Sequence, residues 1–408
     1  MVMAPLIRHK SMIKVILKKG RDESVRRFHP WVFSGAIAQL SGNPQDGDIV
    51  AVHDSLGNFL AYGHWQDASI AVRILSFDSD VTDPAFWEIM LRRAYAVREA
   101  AALTRSDSTT CYRLVHGEGD GLPGLVVDYY DGVCVLQAHS TGMFRSRRAV
   151  ADALVKLYGC GLKAVYDKSS GTAPHRQGQE IIDGYLWKAE GFDSDELCVL
   201  ENGHRFNVCW TEGQKTGFFL DQRENRAAVK RYSGGRNVLN LFCYTGGFSI
   251  YALAGGAIHC DSVDSSHKAV DMLNRNVALN GFGDSLHTAI CADAIDFLHD
   301  IPEDKYDLIV LDPPAFAKRR SALGNALRAY QRLNAAAISK LAAGGLLFSF
   351  SCSQAVDKEQ FALALFSAAT QCGRSVRILD RFNQPCDHAV SIYHPEGEYL
   401  KGLLLYVE

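Results

Sequence analysis

The sequence predicts an α/β protein whose second half forms a doubly wound parallel sheet. From about residue 195, short apolar runs alternate with helix-like stretches, as they do in β-α-β units. Four successive strand-like runs of this region end at Asp264, Asp293, Asp312 and Cys352, so that a reactive side chain stands at the carboxyl end of each strand. Because ligands of open parallel sheets bind beyond the carboxyl ends of the strands, we expect the chemistry to converge on that edge.

Two smaller regions precede this sheet. Residues 1–80 contain short strand-like runs with turn residues between them, which predicts a small β-rich domain. Residues 84–190 mix helix-like stretches with strand-like runs, which predicts a central α+β domain. The sheet domain then occupies residues 195–408. A chain of 408 residues is long enough for three domains with their own cores.

The elements of the sheet domain follow in a regular order. A buried strand over residues 238–242 leads into a glycine turn and a short helix that ends at Gly255. Ser265 is expected to cap the next helix and Gly281 to end it. The remaining predicted elements are a strand over 307–311, a helix over 324–343, a strand over 346–351, a helix over 357–372 and a closing strand over 399–407.

Composition and charge disfavour some classes of function and indicate others. No apolar run approaches the roughly 18 residues that a membrane span needs, so we expect a cytoplasmic protein without a membrane partner. The 11 cysteines are an odd number without a CxxC pair, which disfavours a disulfide framework and a metal site. The net charge is −3, yet residues 8–27 and 313–356 are rich in Lys and Arg. Such stripes predict contacts with nucleic-acid phosphates, with a solvated helix face as the alternative.

The glycine turn after the first strand of the sheet predicts a cofactor site. The adjacent Gly246 and Gly247 let the backbone approach a ligand closely, and their spacing differs from the GxGxxG of a pyrophosphate site. Asp264 can bind two ribose hydroxyls, and Asp293 can accept a hydrogen bond from an adenine amino group. The ordered set indicates S-adenosylmethionine as the cofactor. For either acid alone, a helix N-cap is the alternative.

Cys352 is the candidate nucleophile. It ends its strand in a Ser-rich turn, and a thiolate that adds to carbon 6 of a pyrimidine makes carbon 5 reactive towards a methyl donor. A buried structural cysteine is the alternative. Asp312 begins the segment Asp312-Pro313-Pro314, in which the prolines stiffen the loop. Such loops resemble those that face the target base in nucleic-acid methyltransferases.

These motifs resemble, in order along nearly the whole chain, the RlmI family of bacterial ribosomal RNA large-subunit cytosine-C5 methyltransferases. The resembling segments are 28–37, 118–125, 215–223, 240–249, 311–316, 350–353, 387–388 and 395–402. The resemblance implies a class I methyltransferase sheet of Rossmann-like form and a PUA-like RNA-binding domain at the amino terminus. It also implies S-adenosylmethionine as the cofactor and large-subunit ribosomal RNA as the partner. A homodimer is compatible with the sequence.

The resemblance also implies which residues form the site. Cys352 and Asp312 would be catalytic. The cofactor-binding set would be Thr216, Phe218, Asp221, Gln222, Arg223, Asn240, Phe242, Tyr244, Thr245, Gly246, Gly247, Asp264, Ser265, Asp293 and Asp312. The substrate-binding set would be Pro313, Pro314, Phe316, Lys318, Arg319 and His388. Ala315 departs from the family, which often has Lys there, so either Lys318 or Arg319 would replace that residue or a phosphate contact would be lost. His388 and Asp312 are the candidates for the base that removes the carbon-5 proton.

Two other functions stay open at this point. An adenine or guanine amino methyltransferase also uses a loop with two prolines, but it places an aromatic residue directly after them and has no use for Cys352. In this chain the aromatic residue is displaced to Phe316. A catalytically silent RNA-binding assembly factor is the second alternative.

Overall fold

The computed structural model describes residues 12–174, 180–317 and 319–408, which form two compact units. The first unit comprises Met1–Ala102, Arg113–Asp193 and Ala389–Gly397, and the second unit comprises Leu103–Tyr112, Ser194–His388 and Glu398–Glu408. None of the helices in the described ranges combines the length and the apolar character that crossing a bilayer requires.

The first unit begins with a six-stranded sheet. Its elements are β1 (Ile13–Leu17), α1 (Glu23–Arg26), β2 (Trp31–Phe33), β3 (Ile37–Leu40), β4 (Ile49–His53), β5 (Phe59–Trp65) and β6 (Ile70–Ser76). The strand order is β2-β6-β5-β4-β1-β3, and only β1 and β4 pair in parallel within it. Alternate apolar side chains such as Val15, Val50 and Ile74 form its buried core.

A five-stranded sheet follows, most of which lies in the first unit. Its elements are α2 (Phe86–Ala100), β7 (Cys111–His116), β8 (Leu125–Tyr130), β9 (Val133–Ala138), α3 (Thr141–Tyr158), β10 (Ala164–Asp167) and β11 (Gly184–Lys188), in the strand order β11-β10-β9-β8-β7. Ser140 begins α3 as its N-cap, because its hydroxyl accepts a hydrogen bond from Met143 N at 3.3 Å. The fully buried guanidinium of Arg98 is paired with Asp120, as a charge out of water requires.

The second unit contains a hairpin and a seven-stranded sheet flanked by helices. The hairpin is β12 (Glu196–Glu201) and β13 (His204–Cys209). The sheet elements are α4 (Arg223–Tyr232), β14 (Asn237–Leu241), α5 (Gly247–Ala254), β15 (His259–Asp264), α6 (His267–Leu279), β16 (His287–Cys291), α7 (Ala294–Asp300), β17 (Tyr306–Leu311), α8 (Leu323–Lys340), β18 (Leu341–Ser351), α9 (Lys358–Cys372), β19 (Val376–Asn383) and β20 (Lys401–Val407).

The strand order of this sheet is β16-β15-β14-β17-β18-β20-β19. The five strands from β16 to β18 are parallel, and β20 pairs antiparallel with β18 and with β19. The chain winds outward from β14 to β16 and then returns to β17, so the strand order reverses between β14 and β17. A crevice therefore opens beyond the carboxyl ends of these two strands, where such sheets bind their ligands.

The structure confirms the doubly wound sheet and corrects some of its details. The long helix α8 ends at Lys340, whereas the sequence predicted that it continues to residue 343. Residues 341–345 belong to β18 instead. The cap of α6 is Ser266, whose hydroxyl accepts from Ala269 N at 3.4 Å, and not Ser265. The sequence missed β19, an edge strand with mostly exposed or half-buried residues.

Candidate active site

A cleft opens at the carboxyl ends of β14, β15, β17 and β18 within the second unit. It is lined by Gln214, Lys215, Phe218, Phe219, Asp221, Gln222, Arg226, Phe242, Cys243, Tyr244, Thr245, Gly247, Phe248, Asp264, Ser265, Asp312, Pro313, Pro314 and Cys352. The structure thus brings the predicted nucleophile, the proline loop and the glycine turn to one place. The cleft borders a larger hollow of about 560 Å³, which shares Gln214, Tyr244 and Thr245 with it.

The glycine turn between β14 and α5 has an unusual backbone. Phe242 and Tyr244 have φ values of 61° and 47°, and Gly246 has 84°. Non-glycine residues rarely adopt positive φ, and such strain is concentrated at ligand sites. A Cβ atom on Gly247 would lie 2.9 Å from Cδ of Arg226, so a side chain there would fill the space in front of the turn.

Asp264, at the end of β15, holds this turn in place. Its Oδ2 accepts from Tyr244 N at 2.8 Å, and its Oδ1 accepts from Ser266 N at 3.0 Å. The carboxylate therefore joins the turn to the start of α6 and still lines the cleft. A bare glycine backbone followed by an acid on the next strand is an arrangement into which S-adenosylmethionine fits, with the acid available to its ribose.

The segment before α4 lies along the cleft and is bonded to its walls. Gln222 Nε2 donates to Asp312 Oδ1 at 2.9 Å, and Tyr399 OH donates to Asp221 Oδ2 at 2.7 Å. Tyr244 adds two further bonds, because its hydroxyl donates to the carbonyl of Gly217 at 3.1 Å and accepts from the backbone N–H of residue 214 at 2.9 Å. These bonds hold the segment against the proline loop and the glycine turn.

Lys215 places a cation at this wall. Its Nζ lies 3.5 Å from Asp221 and 4.4 Å from the centre of the Phe219 ring. The sequence reasoning missed Lys215, Phe219 and Arg226 as lining residues, although the first two lie within a segment that it singled out. Arg226 lines the cleft while its guanidinium pairs with buried Glu201 at 2.6 Å. Only the fold brings Glu201, in β12, to Arg226.

Asp312 carries the most informative carboxyl group of the cleft. It is half-buried, and burial raises its pKa to about 7, with a further rise from nearby Asp221 and an opposing effect from Lys215. Gln222 stabilises the charged form through its hydrogen bond. Near neutral pH the group is therefore present both as the acid, which donates a hydrogen bond, and as the carboxylate, which accepts one.

Cys352 lies in the same cleft with a thiol that keeps its proton at neutral pH. Burial raises its pKa to about 11, the charge of Asp312 raises it further, and Lys215 lowers it. The side chain is half-buried and therefore accessible from the cleft. Because only a thiolate is a strong nucleophile, the site must favour thiolate formation when it works.

Several residues of the predicted site lie outside the lining of this cleft. Arg223 forms a buried ion pair with Asp387 at 2.9 Å, and Nδ1 of buried His388 lies 3.1 Å from the same carboxylate. Asn240 is buried and donates to Ser249 Oγ at 2.8 Å. Thr216 and Gly246 are likewise buried without lining the cleft.

The remaining predicted residues take other positions. Asp293 is exposed and caps α7, since its Oδ1 accepts from the backbone N–H groups of residues 295 and 296, which is the alternative that the sequence left open. Phe316 packs on Tyr330 with ring centres 4.7 Å apart and lines a separate apolar hollow. Arg319 is exposed, and Lys318 lies outside the described residues.

Comparison with known proteins agrees with this architecture. Residues 15–77 match the model of a PUA-like domain, and residues 112–400 match that of an S-adenosylmethionine-dependent methyltransferase. A protein of Pseudoalteromonas translucida named ribosomal RNA large subunit methyltransferase I is 39% identical over 394 residues, which cover 96% of this chain and 98% of that protein. A protein of the same name from Escherichia coli O1:K1 is 38% identical over 395 residues, with the same coverage.

Solved structures confirm the predicted fold class. A methyltransferase crystallised in complex with SAH superposes with a TM-score of 0.82 over 97% of this chain and 100% of its own, at 23% identity. An S-adenosylmethionine-dependent methyltransferase from Streptococcus mutans gives the same TM-score and coverage at 22% identity. Together with the family models and the curated relatives, this shows that the chain belongs to the ribosomal RNA large subunit methyltransferase I family of S-adenosylmethionine-dependent methyltransferases.

Proposed function

We propose that this protein methylates carbon 5 of a cytosine in large-subunit ribosomal RNA through a covalent adduct with Cys352. The names of the relatives support ribosomal RNA as the substrate. The position of Cys352 carries the rest of the proposal, because the sulfur shares one cleft with the glycine turn at Gly247 and with Asp312. A methyl transfer to an exocyclic amino group does not need a thiol, whereas a transfer to carbon 5 does.

In this proposal the two catalytic side chains act on opposite parts of the ring. Asp312 donates its proton to ring nitrogen 3, which draws electrons from the ring. The Cys352 thiolate then bonds to carbon 6, and the displaced π pair makes carbon 5 enamine-like. The cofactor, when bound, supplies the electrophilic methyl group that carbon 5 takes. Loss of the carbon-5 proton to a base then restores the double bond between carbons 5 and 6 and expels the thiolate, and the proton on ring nitrogen 3 leaves to water.

The two candidates for that base differ in their surroundings. His388 is buried beside Asp387 and does not line the cleft, whereas Asp312 does. Since Asp312 changes its protonation state near neutral pH, it can take up a proton after it has given one away. Asp312 is therefore the better candidate of the two.

A cytosine reaches such a cleft only when it leaves its stack, since the sulfur must approach carbon 6 from above the ring. The exposed basic residues near the amino terminus, which are Lys14, Lys18, Lys19 and Arg21, are suited to bind the RNA phosphates. The PUA-like match covers Lys18, Lys19 and Arg21. Arg319 and Arg320 follow the proline loop and are also exposed.

The amino methyltransferase alternative loses support from the position of Phe316. Those enzymes stack the target base on an aromatic side chain directly after the prolines, but Phe316 packs on Tyr330 and lines a different hollow. The cleft in front of Asp312 thus receives no ring from this loop.

The identity of the methylated nucleoside distinguishes the three candidate functions. Protein incubated with labelled S-adenosylmethionine and unmodified large-subunit RNA should yield labelled 5-methylcytidine after digestion to nucleosides. A labelled methylated purine would contradict the proposal and would favour an amino methyltransferase. Absence of label, while the protein still binds both ligands, would favour the assembly factor.

A further inference from the structure

A buried ammonium group lies in the turn that follows Cys352. Lys401 begins β20 and lies in register with Ser351, the residue before Cys352, on the antiparallel strand β18. Its Nζ donates to the carbonyl oxygen of Ser353 at 2.6 Å and to that of Val356. Lys401 is only 6% exposed. Its charge is therefore held against the backbone that carries the candidate nucleophile.

The same turn is bonded to the proline loop. Ser353 Oγ donates to the carbonyl of Ala317 at 2.6 Å and accepts from Ala317 N at 3.3 Å. These bonds join the turn after Cys352 to the loop that begins at Asp312. Because Lys401 holds the carbonyl groups of this turn, it helps to fix the position of both catalytic side chains relative to each other.

We infer that Lys401 is a positioning residue for methyl transfer, which fixes the turn of Cys352 and supplies a positive charge that favours the thiolate. The inference rests on the proposed function, because a thiolate at Cys352 is useful only if this residue is the nucleophile. Lys401 acts through the cysteine and does not line the cleft itself.

The charged groups around the thiol of Cys352 include two acids and one partly exposed lysine, so a further cation can favour the thiolate. Asp312 and Asp221 both raise the pKa of Cys352, and Lys215 lowers it. Lys215, however, is 46% exposed, so water screens its charge. The buried ammonium of Lys401 is screened by water much less than that of Lys215.

The charged groups around Lys401 also support the inference. Burial lowers its pKa to about 8, and the negative charges of Cys352 and Asp357 oppose this effect, whereas Lys358 reinforces it. The interaction between two titrating groups is reciprocal. Below pH about 8, where Lys401 is charged, its ammonium therefore favours the small fraction of Cys352 that is present as thiolate.

The test measures the thiol directly and needs no RNA. The rate at which iodoacetamide alkylates Cys352 is followed against pH by mass spectrometry of the peptide that carries it, since the chain has 11 cysteines. Lys401→Met should slow the alkylation about tenfold below pH about 8, where the wild-type Lys401 is charged, and should change it little above that pH. Lys401→Arg keeps the charge and should restore the wild-type profile.

Two further variants complete the design. Lys401→Gln removes the charge but keeps two N–H donors for the carbonyls of Ser353 and Val356, and it takes the place of Lys401→Met if that variant does not fold. Lys156→Met removes a mostly exposed lysine that pairs with Glu88 in the first unit, and it should leave the profile unchanged. The folding check for each variant is its affinity for the product S-adenosylhomocysteine.

The inference is overturned if the folded neutral variant alkylates like the wild type, or if Lys401→Arg slows alkylation as much as the neutral variant does. The second result would mean that packing, and not charge, sets the reactivity. A failure of the proposed function looks different. In that case Cys352→Ala keeps its methyltransferase activity, whatever the alkylation profile of the Lys401 variants.

Discussion

Cys352 and Asp312 lie in one cleft, and burial raises the pKa of both groups, yet the consequences differ. The carboxyl, with a pKa of about 7, can give and take a proton under physiological conditions. The thiol, with a pKa of about 11, stays protonated until its surroundings change. The resting site thus protects its nucleophile from stray electrophiles.

The first prediction concerns Cys352. Cys352→Ala should fold and bind S-adenosylhomocysteine normally but form no methylated product, because carbon 6 then lacks the nucleophile that activates carbon 5. The measurement is transfer of labelled methyl groups to RNA. Cys291→Ala is the matched control, since Cys291 ends β16 in an exposed position and does not line the cleft. Substantial activity of Cys352→Ala would make Cys352 a packing residue.

The second prediction concerns pH and Asp312. Its pKa is raised in the folded protein, so its contribution to stability is complete below the unfolded value of 3.8 and is lost as the pH rises through about 7. Asp312→Asn keeps the acceptor for Gln222 and removes the titration. The free energy of unfolding of this variant, relative to wild type, should therefore increase by at least about 1 kcal/mol between pH 5 and pH 8.

Urea unfolding of both proteins at the two pH values measures this difference. The same difference at pH 5 and at pH 8 would show that the carboxyl has an ordinary pKa in the folded protein. The acid would then be unable to protonate the ring at neutral pH, and that step of the proposed chemistry would fail.

The third prediction concerns Asp264. Asp264→Ala should weaken the binding of S-adenosylhomocysteine by at least about 1–3 kcal/mol, because it removes a charged hydrogen-bond partner and frees the turn at Tyr244. Isothermal titration provides the measurement. Asp296→Ala is the control, since Asp296 is an exposed acid on α7 that lines neither the cleft nor the hollow beside it. An unchanged affinity would remove Asp264 from the cofactor site.

At the scale of single residues, Asp264, Asp312 and Cys352 line one cleft, and each of them follows a strand of a recognisable pattern. Asn240, Arg223 and His388 are buried outside the lining of this cleft. Their burial depends on partners far along the chain, such as Asp387 for Arg223, and no local pattern indicates such pairs. Asp293 shows the same limit, because a cap and a ligand contact use the same residue type at the same position.

At the scale of elements, the turn between β14 and α5 combines strain with close packing. Gly247→Ala would bring a methyl group to 2.9 Å from Cδ of Arg226, whose guanidinium is fixed by its buried pair with Glu201. We expect a loss of about 1–3 kcal/mol in unfolding free energy and weaker cofactor binding. Gly283→Ala is the control, because nothing lies within 4 Å of a Cβ there. Equal stabilities and affinities of the two variants would show that Arg226 moves aside readily.

The central parallel strands β14, β17 and β18 were predictable because they contain apolar runs that are buried on both faces. The edge strand β19 was not, since the segment Val376–Asn383 interleaves charged and apolar side chains and pairs with the chain terminus. The boundary between α8 and β18 also escaped prediction. Ala-rich sequence favours a helix there, but pairing of Leu341 with Tyr306 extends the strand instead.

At the scale of the whole molecule, the formal charge of −3 hides local basic regions. The affinity for ribosomal RNA should fall steeply with salt, because each phosphate contact releases a counterion. The double variant Lys19→Ala/Arg21→Ala should reduce the slope of log affinity against log salt by about 1 per lost contact. Arg92→Ala, which removes an arginine already paired with Glu88, is the control. An affinity that does not depend on salt would contradict the electrostatic part of the proposal.

The three predicted domains remain a prediction, whereas the described residues form two compact units. The chain crosses between these units more than once, which no local pattern reveals. Composition indicates the number of cores that a chain can support, but contacts between distant segments decide how it is partitioned.

The segment Ala389–Gly397 belongs to the first unit although it stands almost at the end of the chain. Within that unit Trp31 packs on His394 with ring centres 4.3 Å apart. A nascent polypeptide therefore lacks this aromatic partner until residue 394 has been synthesised. Domains generally fold as units as they are synthesised, amino-terminal ones first. The first unit instead completes its contacts only after most of the second unit has been made.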